Sequence, residues 1–410
     1  MKVRDVVVIG GGPAGMMAGI SAGQRKIKVT LLERNSSLGR KLLLTGKGRC
    51  NLTNNTSIPK LVEAFGKKGG FLYSALTKFS NQDLISFFEK RGVETKVERG
   101  QRVFPKSDKS QTVLDCLSKE LRKSNVELVY NYRVTRIKRG AGGFTIFNEK
   151  KETIRAKRIV LATGGKSYPQ TGSTGDGYRL AKNLGHQITP LKPALTGLIV
   201  KDKTIRGLAG LSLKNVQLSF KTGDKVLISL FGEMLFTHQG ISGPIVLESS
   251  KTVYEALAKK EKVGAFLDLK TALDENQLKE RIFREIHKMP KKQFKGLLRT
   301  LLPLLLIPFT SQTIGIDEKT INAHLATEEV QRLINFLKEF SFSIDATAPF
   351  STAIVTSGGV AVDQIDSRSM ESKIVPNLYF SGEVIALDGP TGGYNLQKAF
   401  STGWLSGLSL

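Results

Sequence analysis

Three glycines at positions 10, 12 and 15 follow the apolar run Val6 to Ile9. Their spacing is that of a turn that receives a pyrophosphate. Gly10 permits the tight turn, Gly12 lets backbone approach the phosphates, and Gly15 lets the next helix pack close to the strand. Gly11, Pro13 and Ala14 complete the turn. The helix predicted over Ala14 to Gln24 then aims its positive end and free N–H groups at the bound anion. A second apolar strand, Lys28 to Leu32, ends in Glu33, where a carboxylate about twenty residues downstream accepts ribose hydroxyls. Strand, glycine triplet, helix, second strand and terminal acid together specify a dinucleotide site.

Further residues of the same character follow. The segment Gly39 to Asn55 is rich in glycine and small polar residues, as expected of a loop folded closely over a ligand. With Arg34 just ahead of it, Arg40, Lys41, Lys47 and Arg49 offer cations to a phosphate or an anionic ring, or form a solvated basic loop. Ala162, Thr163, Gly164 and Gly165 close a buried strand, another point of close backbone approach. Gly382-Glu383 closes a short strand, and Gly392, Gly393, Tyr394 and Asn395 open the last helix, making a second corner that faces a phosphate or flavin.

The elements that must position these residues are legible in outline. Amphipathic stretches at Ser80 to Arg91 and Ser110 to Lys123 read as helices, the second packing Cys116 rather than presenting it. Glu127 to Ile137, Phe144 to Phe147 and Thr153 to Ala156 read as a small meander leading to a buried strand, Arg158 to Ala162. Pro190 and Pro193 mark a boundary. Beyond it Leu195 to Val200, Leu211 to Phe220 and Lys225 to Phe231 alternate like antiparallel strands of a small barrel or sandwich. Helical patterns at Leu273 to Met289 and Glu328 to Phe340 follow, and the first style returns near Phe350. The expected division is a first nucleotide-binding part over 1–190, an inserted β-barrel over 191–270, a helical domain over 271–344 and a second nucleotide-binding part over 345–410. No second GxGxxG follows a strand, so a nicotinamide donor would dock transiently.

Composition narrows the partners. The chain has 410 residues, with 62 Lys+Arg against 36 Asp+Glu, a net charge of +26 and an isoelectric point near 9.9. A site for small metabolites does not call for such a charge, whereas a polyanion, RNA above all, explains it by phosphate neutralisation. A generally basic surface is the alternative. Two cysteines provide neither a disulfide framework nor a metal motif, as expected of a cytoplasmic protein. Lys2 and Arg4 precede an apolar run too short for a signal-peptide core. The most apolar stretch, Leu297 to Phe309, is interrupted by Arg299, Pro303 and Pro308 and reads as a buried helix or connector.

The motifs GGGPAG, GRKLLLTGKGRCNLTN, QRVFP, LATGGKSYPQTGSTGDGY, FTHQGISGP and SGEVIALDGPTGGYNLQKAFSTG occur in that order. Over essentially its whole length the chain resembles the bacterial three-domain flavoprotein family of the BaiN/RdsA type, NAD(P)/FAD-dependent oxidoreductases with aminoacetone oxidase-like members. Lys47 stands where that family's motif has glycine. The resemblance implies an α/β fold: a discontinuous, glutathione-reductase-like (Rossmann-type) FAD domain carrying an inserted antiparallel β-barrel and a small helical domain. It also implies non-covalent FAD and transient NAD(P)H. Glu33 would bind the adenosine ribose, Val134 would present backbone to adenine, Glu383 would meet the flavin side, and Thr45 to Asn51 with Gly392 to Asn395 would flank the isoalloxazine. The family's chemistries include reduction of uridine in ribosomal RNA, and oxidation or ene-reduction of small molecules. Reduction of a uracil C5=C6 bond needs a proton donor. Cys50, a thiol beside Arg49, and His238, across the flavin in the THQGISGP turn, are the candidates.

Overall fold

The computed structural model describes residues 3–410; Met1 and Lys2, counted above with the first nucleotide-binding part, lie outside the described residues. The chain divides into two compact units, one formed by Met1–Ala194 with Phe350–Leu410 and the other by Leu195–Pro349.

The first unit is built on β1 (Val3–Ile9), which leads through Gly10–Gly12 into α1 (Pro13–Gln24) and β2 (Val29–Leu32). Next in the sheet come β3 (Glu127–Val129), β4 (Val134–Gly140), β5 (Gly143–Asn148), β6 (Thr153–Leu161) and β7 (Leu378–Phe380). The strand order is β3-β2-β1-β6-β5-β4, with β7 also paired to β6. The parallel core arises because β1 is apolar on both faces. Val6 and Val8 enter the core on one side of the sheet, Val7 and Ile9 the core on the other.

Two expected segments differ in detail. The third meander strand and the buried strand after it are one nine-residue strand, β6. Its first half pairs antiparallel with β5 (Phe144 opposite Ala156), and its second half lies parallel to β1 and β7 (Val160 beside Val8 and Tyr379). Conversely, the expected strand over 127–137 is split. Glu127–Val129 joins the parallel sheet beside β2, and Val134 starts the hairpin with β5. Periodicity alone could not separate them, because both pieces are short and half-buried.

α1 packs against the last helix, Tyr394–Leu408, through small residues. A Cβ at Gly403 would lie 2.3 Å from the Ala14 carbonyl oxygen, and one at Gly407 would lie 2.6 Å from that of Ala18. Ser21 Oγ donates to the Trp404 carbonyl oxygen across the same contact at 2.9 Å. This close crossing puts the N-terminal end of α1 against the middle of the last helix, where Thr402 Oγ1 also accepts from Gly382 N at 2.9 Å, just after β7.

The second unit contains a seven-stranded antiparallel sheet. Its long hairpin, Ser212–Thr222 and Lys225–Thr237, is flanked by Val263–Asp268 on one side and Gly240–Ser242 on the other. The two edge strands, Phe340–Ile344 and Ala346–Thr347, are successive pieces of one chain segment, joined through Asp345. The sequence separates a barrel from a helical domain, but here the helices share the sheet's core. Leu278 and Ile282 of Glu275–Lys288, Leu298 of Phe294–Leu301 and Leu333 of Thr327–Lys338 pack in one cluster with Leu218, Phe220 and Leu267. The insert is therefore one unit beginning at Leu195. The apolar stretch 297–309 spans parts of two helices, Phe294–Leu301 and Leu306–Ile314, bent by 120°. Among the described residues no single helix is long and apolar enough to cross a membrane.

Candidate active site

The glycine turn has the geometry of a phosphate cradle. Gly10 has φ +112°, and a Cβ there would lie 2.4 Å from the Ala162 carbonyl oxygen, so only glycine lets the chain leave β1 beside β6. A Cβ on Gly15 would lie 1.9 Å from the Gly10 carbonyl oxygen. Gly12 differs: a Cβ on it would meet nothing within 4 Å. It caps α1 without a side-chain hydrogen bond, ahead of Pro13, so the first-turn amides face open space. A concave backbone surface at the N-terminus of a twelve-residue helix suits a pyrophosphate.

Glu33 lies where β2 ends and is buried. Its Oε2 accepts from Gly11 N at 2.8 Å, and its Oε1 accepts from Asn35 N and Nδ2 at 2.8 and 2.7 Å. These bonds fix the carboxylate against the glycine turn; Oε1 is filled by its two donors, and Oε2 keeps acceptor capacity. The Glu33 carbonyl oxygen accepts from Tyr132 N, and Val134 follows two residues later as the buried start of β4. Arg34 turns away to the loop ahead of the helix Asp176–Asn183, donating to Thr174 Oγ1 (2.6 Å) and Asp176 Oδ2 (3.2 Å). Burial opposes ionisation of Asp176, but Arg133, Arg34 and Arg179 together hold its carboxyl below the usual range. Arg40 is exposed and donates to Asn35 Oδ1.

The loop after Gly39 carries its own corrections. Thr45–Gly48 forms a tight turn in which Gly46 and Lys47 both have φ +58°. Lys47 thus adopts the left-handed conformation that favours glycine, which accounts for glycine being the residue expected there. Arg49 was expected to face the cofactor. Instead it is clamped by Glu98 and Asp108 and stacks 4.1 Å over the Phe104 ring, which places its charge in a structural network. Cys50 has φ +64° and no exposed surface. Burial pushes its thiol up to about 12, with a hydrogen bond involving Thr45 opposing. It packs in the core with Leu42 and Leu52, and no side-chain surface is open to a substrate. Asn51, with its amide oriented to satisfy both ends, donates to Thr53 O (3.0 Å) and accepts from Gly393 N (3.0 Å).

The second corner gathers around Glu383. Its Oε2 accepts from Lys41 Nζ at 2.8 Å, and its Oε1 accepts from Thr356 N at 2.8 Å. Burial raises its pKa, but the Lys41 ammonium, the Thr356 N–H and the Lys398 charge together outweigh this and keep the carboxyl below its usual range. Lys41 is therefore tied to Glu383. Thr356 Oγ1 accepts from Lys166 N and Ser167 N, tying Ala162–Gly165 to the same corner. The last helix begins at Tyr394, capped by Gly393 at φ +99° without a side-chain hydrogen bond. The Asn395 side chain is spent on its own loop, accepting from Gly389 N (2.9 Å) and donating to Gly389 O (2.7 Å). What this corner offers a ligand is the helix's backbone end. Thr356, Asp388 and Lys398 belong to it but escaped the sequence reading. Thr356 sits in no motif, and a lysine one turn into an amphipathic helix looks solvated.

His238 belongs to the other unit. It is exposed at the turn between Lys225–Thr237 and Gly240–Ser242, and its carbonyl oxygen accepts from Arg206 Nε at 2.8 Å.

The glycine cradle, the strand-terminal acid and a second glycine corner on one parallel sheet define the Rossmann-type fold of flavoprotein oxidoreductases. The chain belongs to the HI0933-like family: a model described as HI0933-like protein Rossmann domain matches residues 4–409. It is 32% identical over 407 residues to a 3-dehydro-bile acid delta(4,6)-reductase of Clostridium scindens, covering 99% of this chain and 98% of the relative. It is also 32% identical over 408 residues to a ribosomal RNA dihydrouridine synthase of Escherichia coli, covering 98% of this chain and 97% of the relative. The fold is shared with a 3-ketosteroid-delta4-(5alpha)-dehydrogenase of Rhodococcus jostii at TM-score 0.51 and 16% identity, over 100% of this chain and 99% of that structure. The chain is an enzyme, an oxidoreductase of the flavoprotein class.

Proposed function

We propose that this enzyme binds FAD non-covalently and uses NAD(P)H to reduce a C=C bond conjugated to a carbonyl, the substrate being a uridine of ribosomal RNA. The open surface at Gly12, over the α1 N-terminus, carries the FAD assignment. Glu33 would accept the adenosine ribose hydroxyls, with the Val134 backbone beside adenine. When bound, FAD would supply a two-electron carrier between the nicotinamide and the substrate, held by the Gly10–Gly15 turn and Glu33. The two relatives at 32% identity are named for a bile-acid reductase and a dihydrouridine synthase. Both names are those of reductions at an activated double bond, so the bond class is better supported than the substrate.

The last helix would aim its uncapped positive end at the pyrimidine edge of the flavin, favouring negative charge there. Cys50, sealed in the core, is set aside as proton donor; His238, whose side chain is open to solvent, is retained.

The choice of RNA rests on the +26 charge. In the second unit Arg284, Lys288, Lys291, Lys292 and Arg299 are exposed in or beside two successive helices. A basic surface of this kind would neutralise phosphates. A small-molecule ene-reductase is the second reading, supported by the bile-acid reductase matched at the same 32% identity as the dihydrouridine synthase. The test is anaerobic. The flavin is reduced with NADH or NADPH, then mixed with unmodified ribosomal RNA or with a conjugated enone. Reoxidation by RNA with formation of dihydrouridine supports the first reading; reoxidation by the enone alone supports the second.

A further inference from the structure

Lys398 lies one turn inside the last helix and is 2% exposed. A buried ammonium is costly unless its surroundings compensate it. Here it donates to the Leu387 carbonyl oxygen. The charged groups facing it are the carboxylates of Glu383 and Asp388, with the Lys41 ammonium opposing. Asp388 accepts from Ser357 Oγ at 2.7 Å. The segment from Leu387 to Gly393 crosses the helix N-terminus as a strap held at several points. Lys398 holds Leu387, Asn395 holds Gly389 and Pro390, and Asn54 Nδ2 donates to the Gly392 carbonyl oxygen at 3.2 Å. The tether from Lys398 is charged, whereas those from Asn395 and Asn54 are amides.

We propose that Lys398 is a positioning residue for the flavin: its buried ammonium locks the Leu387–Gly393 strap against the last helix, so that strap and helix end present a fixed positive face to the ring. This rests on the FAD reading above. The locking depends on charge, since a neutral amine is a weaker donor to Leu387 and loses its attraction to Glu383 and Asp388. Burial pulls the Lys398 ammonium down to about 8, Glu383 and Asp388 opposing, so the lock opens at mildly alkaline pH. Global stability moves the other way. An amine that deprotonates more easily folded than unfolded adds stability as pH rises from about 8 toward 10.5. Loss of flavin affinity across that window is therefore not unfolding.

The experiment titrates FAD into apoprotein from neutral to alkaline pH and follows apoprotein melting in the same buffers, for the natural protein, Lys398→Met and Lys398→Arg. The natural protein is expected to lose about tenfold in FAD affinity as the ammonium deprotonates, the scale of one charge-assisted hydrogen bond. Lys398→Met keeps the stem without the charge. It should bind about tenfold more weakly at neutral pH and show no alkaline step. Lys398→Arg should hold its affinity at alkaline pH, because guanidinium does not titrate there. A core-filling lysine predicts instead that Met binds like the natural residue with the same pH profile, and that result overturns the proposal. If Lys398→Met does not fold, a pH-independent affinity of the natural protein overturns it equally. A natural protein that binds no FAD at any pH overturns the cofactor reading, and this proposal with it.

Discussion

Replacing Gly12 with valine separates binding from folding. Gly12 has φ −82° and ψ −178°, a backbone that any residue adopts, and a Cβ there meets nothing within 4 Å. Valine is a poor N-cap, a cost of up to about 1 kcal/mol. Restricting the unfolded chain returns about 0.4–1 kcal/mol. Stability should therefore change by well under 1 kcal/mol, the two effects nearly cancelling. The side chain projects instead into the space assigned to the pyrophosphate, and should cost at least two charge-assisted hydrogen bonds from the α1 amides. At about 1.5–3 kcal/mol each, that is a loss of roughly 3–6 kcal/mol, or about 10² to 10⁴ in FAD affinity. Gly15→Ala is the contrast. Its Cβ would lie 1.9 Å from the Gly10 carbonyl oxygen, and such overpacking costs about 1–3 kcal/mol or more in stability. The assay is flavin absorbance per protein after purification, FAD titration of the apoprotein, and thermal melting. Full flavin content in a stably folded Gly12→Val protein would refute the assignment of the cradle.

Burial pulls the His186 imidazole below its usual range, outweighing its contact with the Ala181 carbonyl oxygen. Its neutral form is favoured in the fold, so the stability it contributes is present above the unfolded value near 6.5 and is lost as pH falls through the lower folded value. NMR should show this ring titrating below 6.5; a value above 6.5 contradicts the argument. Cys50→Ala should leave both flavin reduction by NAD(P)H and reoxidation by substrate within about twofold, since the thiol is sealed in the core, whereas His238→Ala should keep the first and slow the second by about a hundredfold. A hundredfold defect in Cys50→Ala would restore the thiol as proton donor. Charge reversal of Arg284, Lys288, Lys291 and Lys292 should weaken RNA binding and flatten its salt dependence without changing NAD(P)H oxidation; unchanged RNA affinity would move the footprint elsewhere.

The first glycine turn was legible because each glycine answers a local constraint that sequence spacing records. Gly10 and Gly15 make the close approaches read from the motif, and Gly12 leaves an open surface. Glu33 was legible for the same reason: it terminates a strand at a fixed distance from the turn. The fate of the cations was not. Arg49 and Lys41 sit in a basic loop, and only the fold shows Glu98, Asp108 and Glu383 meeting them from distant segments. Cys50 misled because its neighbours in sequence are polar while its neighbours in space are Leu42 and Leu52. Lys398 was missed because burial of a lysine is a tertiary property. The division of the insert into barrel and helices followed from a change in periodicity, which cannot reveal that Leu278 and Leu218 share one core.

The central claim, reduction of a uridine double bond in ribosomal RNA by a flavin held at Gly12, meets its most direct test in the cell. Dihydrouridine is mapped in ribosomal RNA from a strain lacking this gene, then from that strain carrying the natural gene or the Gly12→Val variant. The account predicts that at least one dihydrouridine disappears on deletion, returns with the natural gene, and stays absent with Gly12→Val. An unchanged dihydrouridine map after deletion would contradict the RNA assignment and leave the small-molecule ene-reductase in its place.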